Sequence, residues 1–213
     1  MNKKRSALAL LLALALVMGC APAFAEAAPV LTLMVYMTGS DLESMGGAAT
    51  GDITEMLYSG VDTERVNIVF CAGGSKLWQN GFPNDAVSVY RMDRKRLRPL
   101  AKFGNVSMGA PETLAQFLNY TVENCPADRY ALILWDHGGG PMNGVCFDEL
   151  FTQKDGHDSL ALSELRSALE ASPFSAENPL EWIGFDACLM SSVETACIYF
   201  SWRASRDMLI RSR

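Results

Sequence analysis

Ile133-Leu-Trp-Asp-His137-Gly138-Gly-Gly140, together with the distant Ile183-Gly-Phe-Asp186-Ala-Cys188-Leu-Met190, decides how this chain is read. Each is a short apolar run of the length of a buried strand, and each ends among small residues in a side chain suited to nucleophile chemistry. The first offers an imidazole and the second a thiol. If the two runs are neighbours in a parallel sheet, their carboxyl ends meet and His137 and Cys188 converge into a pair. The chain has only two histidines. The other, His157, lies in the hydrophilic Lys154-Asp-Gly-His-Asp158 stretch without apolar support.

Outward from these runs, further apolar segments alternate with helical patterns. Val30 to Tyr36 is a continuous apolar run with β-branched content, which predicts a central strand buried on both faces. Thr38-Gly-Ser-Asp41 follows as a turn, with Ser40 or Asp41 placed to cap a helix. Ile53, Met56 and Leu57 then recur at helical spacing. Val66 to Phe70 predicts a second strand, and Ala86 to Tyr90 a short strand or hairpin arm. Pro111 to Val122 predicts a helix with Leu114, Phe117, Leu118 and Thr121 on one face and Pro111 in the first turn. Leu160 to Leu169 predicts another helix, Leu180 to Phe185 a strand, and Leu189 to Phe200 a helix directly after Cys188. Gly138 to Ser159 shows little apolar periodicity and predicts a long functional or mobile connection. Strands alternating with helices predict an α/β sandwich with a mostly parallel sheet, whose chemistry gathers at the carboxyl ends of the strands.

Composition bounds the function. The 213 residues are 49% hydrophobic and 20% charged, as in a single globular domain with a sizeable core. A net charge of −6 argues against nucleic-acid binding, because no basic stripe is available to replace phosphate counterions. The cluster Arg91, Arg94, Lys95, Arg96 and Arg98 is interrupted by Asp93 and reads as a solvated surface segment. Gly138-Gly139-Gly140 lacks both the G-K-[ST] ending and the G-x-G-x-x-G order of nucleotide loops.

Residues 1–25 read as a signal peptide: Asn2-Lys-Lys-Arg5 is basic, Ala7 to Met18 is uncharged and too short to span a bilayer, and Ala23-Phe-Ala25 fits signal-peptidase cleavage. The mature domain then covers 26–213 and is secreted or extracytoplasmic. A rival site, Val17-Met-Gly-Cys20, is similar to a lipoprotein signal and would tether the protein to a membrane through Cys20. After cleavage at Ala25 five of the six cysteines remain, an odd number without a C-x-x-C pair, which fits a free reactive thiol better than a disulfide framework or a metal site. Cys71 and Cys197 lie in apolar patterns suited to inert core positions.

Only the thiolate of Cys188 is a strong nucleophile, so it needs activation. Two sources are at hand: the N-terminus of the helix predicted from Leu189, and the His137 imidazole, which can also protonate a departing amine. The backbone N–H groups of Gly138 and Cys188 are natural donors for a tetrahedral oxyanion, and glycine beside the histidine leaves room for close substrate approach.

The chain resembles the clostripain family of cysteine peptidases, the C11 group of the caspase-like clan, from Leu31 to about Ala196. The resemblance rests on Val35-Tyr-Met-Thr-Gly-Ser-Asp-Leu-Glu43, Gly73-Gly-Ser-Lys-Leu-Trp78, Pro126 to Gly140 and Gly184-Phe-Asp-Ala-Cys-Leu-Met190. The 51-residue interval from His137 to Cys188 is also similar to the caspase spacing of about 50. The resemblance implies a caspase-like three-layer α/β sandwich with a mostly parallel central sheet. It implies His137 and Cys188 as the catalytic dyad, Gly138 and Cys188 as the oxyanion donors, and Asp186 beside the substrate cleft. It implies cleavage of peptides and proteins after Arg or Lys with no cofactor needed for the chemistry and no metal ligand. Some family members are activated by calcium and by cutting their own chain between the two key strands, and Lys154 is the candidate for that cut.

The chain departs from the family at its end. Family members continue past the nucleophile's helix with further strands and an acidic residue for the basic substrate side chain. Here Ser201 to Arg213 loses the expected pattern and is rich in Arg. The expectation is therefore a sheet incomplete at its C-terminal side, as in a truncated chain. A catalytically inactive remnant, or a pseudo-enzyme that only binds a partner, is the alternative to the peptidase.

Overall fold

The computed structural model describes residues 29–153 and 156–198. Its backbone runs β1 (Leu31–Thr38), α1 (Ser40–Gly46), α2 (Ala48–Tyr58), β2 (Val66–Gly73), β3 (Val87–Asp93), β4 (Arg96–Gly104), α3 (Pro111–Asn124), β5 (Arg129–Trp135), α4 (Gly140–Asn143), β6 (Val145–Gln153), β7 (Gly156–Leu160), α5 (Leu162–Glu170) and β8 (Ile183–Asp186). The main sheet has the order β4-β3-β2-β1-β5-β8. The pairs β2–β1, β1–β5 and β5–β8 are parallel, and β3 and β4 join antiparallel at one side. The two strands chosen from the sequence are therefore neighbours, in register from Leu132 opposite Ile183 to Trp135 opposite Asp186.

Alternation along the central strands divides the core into two faces. Met34, Tyr36, Val69, Cys71, Leu132 and Leu134 point one way, against Leu114, Phe117 and Leu118 of α3 and Leu165 and Leu169 of α5. Val35, Met37, Ile68, Phe70 and Trp135 point the other way, against Ala49 and Ile53 of α2 and Trp78. This is the expected three-layer sandwich. With both faces covered, β1 is apolar nearly throughout, as its continuous hydrophobic run required.

Three segments differ from the sequence reading. Arg91 to Leu100, read only as a solvated surface segment, is exposed at Arg94, Lys95, Arg96 and Arg98 but is also regular: it forms facing parts of the β3–β4 hairpin, whose turn is Arg94-Lys95. Gly138 to Ser159 contains the antiparallel hairpin β6–β7. The helix after Cys188 does not begin at Leu189. Its helical backbone starts at residue 193, because the Ser192 hydroxyl accepts the Thr195 N–H at 3.2 Å and caps it there. Cys188 sits in a turn, so the helix-terminus assistance expected for its thiol is not built that way.

Glu43 of α1 fastens the loop after β2. It is fully buried, and its carboxylate accepts the Thr50 N–H at 2.9 Å, the Thr50 hydroxyl at 2.5 Å and the Gln79 N–H at 2.7 Å. Glu43→Ala would leave two backbone donors without an acceptor, and urea unfolding is expected to show a loss of about 2 kcal/mol. An unchanged midpoint would mean that water replaces the carboxylate at no cost.

Candidate active site

Three parallel strands deliver the candidate residues to one end of the sheet. β1 leads into Ser40 and Asp41, β5 into Asp136 and His137, and β8 ends at Asp186, two residues before Cys188. The order β1-β5-β8 puts His137 between the other two. On the β1 side, the His137 Nε2 lies 2.7 Å from the Asp41 carboxylate. On the β8 side, the Asp136 N–H donates to the Asp186 carbonyl at 3.3 Å, joining the two strand ends.

Beyond that junction Gly138 presses against the turn that holds Cys188. A Cβ on Gly138 would overlap the carbonyl oxygen of Cys188 and stand 2.9 Å from its carbonyl carbon and 3.0 Å from Met190 Cγ. Only a residue without a side chain lets the two backbones approach so closely. The Gly138 bridge to Val145 has its hydrogen bonds on either side, from Cys146 N–H to the His137 carbonyl at 3.3 Å and from Gly139 N–H to the Gly144 carbonyl at 2.8 Å. The ladder at this point therefore does not use the Gly138 N–H.

The thiol of Cys188 is exposed, and so is Leu189, which follows it at φ +61. Cys71, Cys125 and Cys146 are buried, and burial pushes each of their thiols up from the usual range. Cys197, expected in the core, is exposed. It projects from the short helical stretch at 193–198, whose inner face carries Thr195 and Ile198.

Among the described residues, three of the four non-glycine residues with positive φ surround this end of the sheet: Ser40 at +46, Cys146 at +63 and Leu189 at +61. Each holds a backbone conformation that costs an L-residue roughly 1–2 kcal/mol. Such strain persists only where neighbours hold it in place. Asp136 supplies part of that hold: it is 3% exposed and accepts the Ser40 hydroxyl and the Phe147 N–H, both at 2.5 Å.

Burial pushes the Asp136 carboxyl up to about 7, against the lowering influence of the Ser40 hydroxyl, the His137 N–H and charge, and the Phe147 N–H. The raised value has a sign that can be tested. The folded chain keeps a proton on Asp136 that the unfolded chain has released, so this contribution to stability is full below the unfolded value near 3.8 and falls away as pH rises through about 7. Asp136→Asn cannot ionise. Its stability relative to the parent is expected to improve by about 2 kcal/mol between about pH 5 and about pH 8, measured by urea unfolding. A pH-independent difference would refute the raised value.

A cleft of about 350 Å³ opens on the Asp41 side of His137, walled by Asp41, Lys76, Gly138, Phe147 and Glu149. A larger cavity of about 1150 Å³ lies at the opposite, amino-terminal end of the strands among Asn67, Arg91, Arg94 and Arg96. Size does not make it the site, since none of the converging groups faces it. Among the described residues, no group of three or more His, Cys, Asp or Glu side chains is placed to hold a metal ion, and no helix is long and apolar enough to cross a membrane.

Of the residues singled out from the sequence, His137, Gly138, Asp186 and Cys188 come to one place. Lys154 lies outside the described residues, as do the signal-peptide and Cys20 readings. Asp41 was missed as a partner because it reads locally as a helix cap; its place just past a strand beside β5 is the signal that could have revealed it. Nothing local distinguished Ser40 and Asp136.

The model of the clostripain family, peptidase C11, matches residues 35–213. The chain belongs to the clostripain family. It is 26% identical over 194 residues to clostripain of Hathewaya histolytica, an alignment covering 79% of this chain and 36% of that protein. Among solved structures it is similar to a secreted C11 cysteine protease of Bacteroides thetaiotaomicron bound to an irreversible peptide inhibitor, with a TM-score of 0.61 and 21% identity over 80% of this chain and 46% of that one. It is also similar to an inactive zymogen C11 protease of Parabacteroides distasonis, with a TM-score of 0.56 and 24% identity over 81% of this chain and 46% of that one. These neighbours bear out the fold. The chain spans about a third of the length of the curated family member it matches, and under half of each of these structures.

Proposed function

We propose that this family member carries the dyad of an exported cysteine endopeptidase that cleaves after Arg or Lys, with Cys188 as nucleophile and His137 as its acid–base partner. One observation carries the proposal: Gly138 meets the Cys188 carbonyl and so seats the thiol's turn beside the histidine's loop. The Cys188 sulfur attacks the scissile carbonyl carbon, and the oxygen that becomes negative is received by the N–H groups of Gly138 and Cys188. His137 takes the thiol proton and passes it to the leaving nitrogen, the C–N bond breaks, and a thioester remains on Cys188. Water, deprotonated by His137, then attacks the thioester to release the acid and restore the thiol. Asp41, bonded at Nε2, fixes the ring and leaves Nδ1 for the sulfur.

The preference for Arg or Lys is supported by exposed Asp186 two residues before the nucleophile, in a chain of net charge −6. Export is supported by the leader at 1–25 and by the description of the Bacteroides neighbour as secreted. The Cys20 anchor is the alternative route out of the cytoplasm, and Lys154 is the proposed site of self-cleavage. The chemistry uses no cofactor, and calcium, carried by resemblance alone, enters no step.

A peptidyl chloromethyl ketone with Arg next to the ketone tests the proposal. The sulfur displaces chloride and forms a thioether that mass spectrometry locates. The expected adduct lies on Cys188 and is suppressed by Arg or Lys peptide amides but not by Leu ones. Labelling at Cys197 instead, or no labelling of the folded protein, overturns the assignment; the second result would leave the binding-only remnant.

A further inference from the structure

We propose that Asp136 is a positioning residue of this site: its carboxylate ties Ser40 and Phe147 to the residue before His137 and thereby holds Asp41 on the imidazole. The proposal deepens the peptidase reading, and its kinetic arm rests on that reading.

Two contacts define the brace. Asp136 Oδ1 accepts the Ser40 hydroxyl and Oδ2 the Phe147 N–H, each at 2.5 Å. Ser40 is the left-handed residue directly before Asp41, and Phe147 directly follows the left-handed Cys146. Other bonds hold the Ser40 backbone, its N–H to the Gly74 carbonyl at 3.1 Å and its carbonyl to the Ser75 hydroxyl at 2.8 Å. The shortest of the three bonds, however, is the one to Asp136, and it becomes charge-assisted once the carboxyl ionises above about pH 7. Cys146 in turn gives its N–H to the His137 carbonyl at 3.3 Å. Two strained segments from different parts of the chain thus meet on consecutive residues, Asp136 and His137.

Asp136 itself does not reach substrate. It is buried and contributes no wall to the cleft, which is lined by Ser40, Asp41, His137 and Phe147. Its influence must pass through the residues it holds. Above about pH 7, where Asp136 is ionised, its carboxylate accepts on both oxygens, which suits the donors converging on it. An asparagine has one acceptor oxygen and turns its NH₂ toward a donor, so at least one anchor is lost. Ser40 can then relax, and Asp41 moves off the ring.

The test combines kinetics with a spectroscopic signature. Asp136→Asn is expected to lower kcat about 10- to 100-fold with KM nearly unchanged, the penalty of a slightly misplaced acid–base group. In Asp41→Asn the same substitution should add less than about a twofold further loss, because both changes act through one contact. Effects that multiply would overturn the proposal. Separately, ¹⁵N imidazole spectra are recorded for His137 in a His157→Gln background, which leaves a single histidine. The parent should show the Nε2–H tautomer. Asp136→Asn, or Ser40→Ala if that variant does not fold, should show a tautomer mixture, and an unchanged tautomer in the folded variants would overturn the brace. If the parent shows no turnover, the peptidase reading fails while the spectra still judge the brace.

Discussion

Cys188→Ala and His137→Ala are each expected to reduce hydrolysis of Arg- and Lys-linked reporter amides by at least about 10³-fold, and the double variant is expected to be no slower than either. The two proposed groups act in one event. Without the thiol there is nothing for the imidazole to deprotonate, and without the imidazole the leaving nitrogen departs without its proton. Loss of either therefore removes nearly the whole covalent route. The measurement is best made on the longest form of the chain that expresses as a folded protein, with melting curves confirming that each variant is folded. Both side chains are substantially exposed, so their truncation opens no void in the core and the folds should survive. Turnover by Cys188→Ala equal to the parent's would remove Cys188 as nucleophile. Multiplying losses would mean that His137 has work independent of the thiol.

Gly138→Ala is expected to be almost as damaging, for a reason visible in the backbone alone. The added methyl would occupy the place of the Cys188 carbonyl oxygen, a main-chain atom that cannot swing aside as a long side chain can. Either the end of β5 or the turn after β8 must move, and both carry a member of the proposed dyad. A stability loss of about 3 kcal/mol is expected, at the upper end for overpacking. Activity should fall by about 100-fold, as for a misplacement of an ångström or so. Gly46→Ala provides the contrast, since a Cβ there meets nothing within 4 Å. In the helical residue Gly46 the same change should be neutral or slightly stabilising. If both variants melt and react like the parent, the approach of Gly138 to Cys188 does not constrain the site.

What could be read from the sequence was what depends on local pattern. The central strands announced themselves because they are buried on both faces and admit almost no polar residue. α3 and α5 did so through one-sided apolar spacing. Of the β3–β4 hairpin only the first arm was legible; β4 stayed hidden because it lies at the edge of the sheet, where Arg96, Arg98 and Pro99 face solvent and break the alternation. The start of the last helix was misplaced because Ala187 to Met190 is apolar enough to extend its pattern. The hydroxyl of Ser192 and the positive φ of Leu189 decide otherwise. Within the site, His137, Gly138, Asp186 and Cys188 stand in contiguous motifs. Asp41 and Ser40 reach their partners across 96 residues, a pairing that only the adjacency of β1 and β5 creates.

Cys188 hangs from the shortest strand of the sheet. β8 is four residues long and, among the described residues, pairs only with β5. Releasing it breaks a handful of hydrogen bonds and leaves the β1–β2–β5 centre, with its two helical layers, intact. Warming should therefore silence the thiol before it melts the domain: inactivation would run ahead of unfolding, and amide exchange at Ile183–Asp186 would be faster than in β1 by the difference between a local and a global opening.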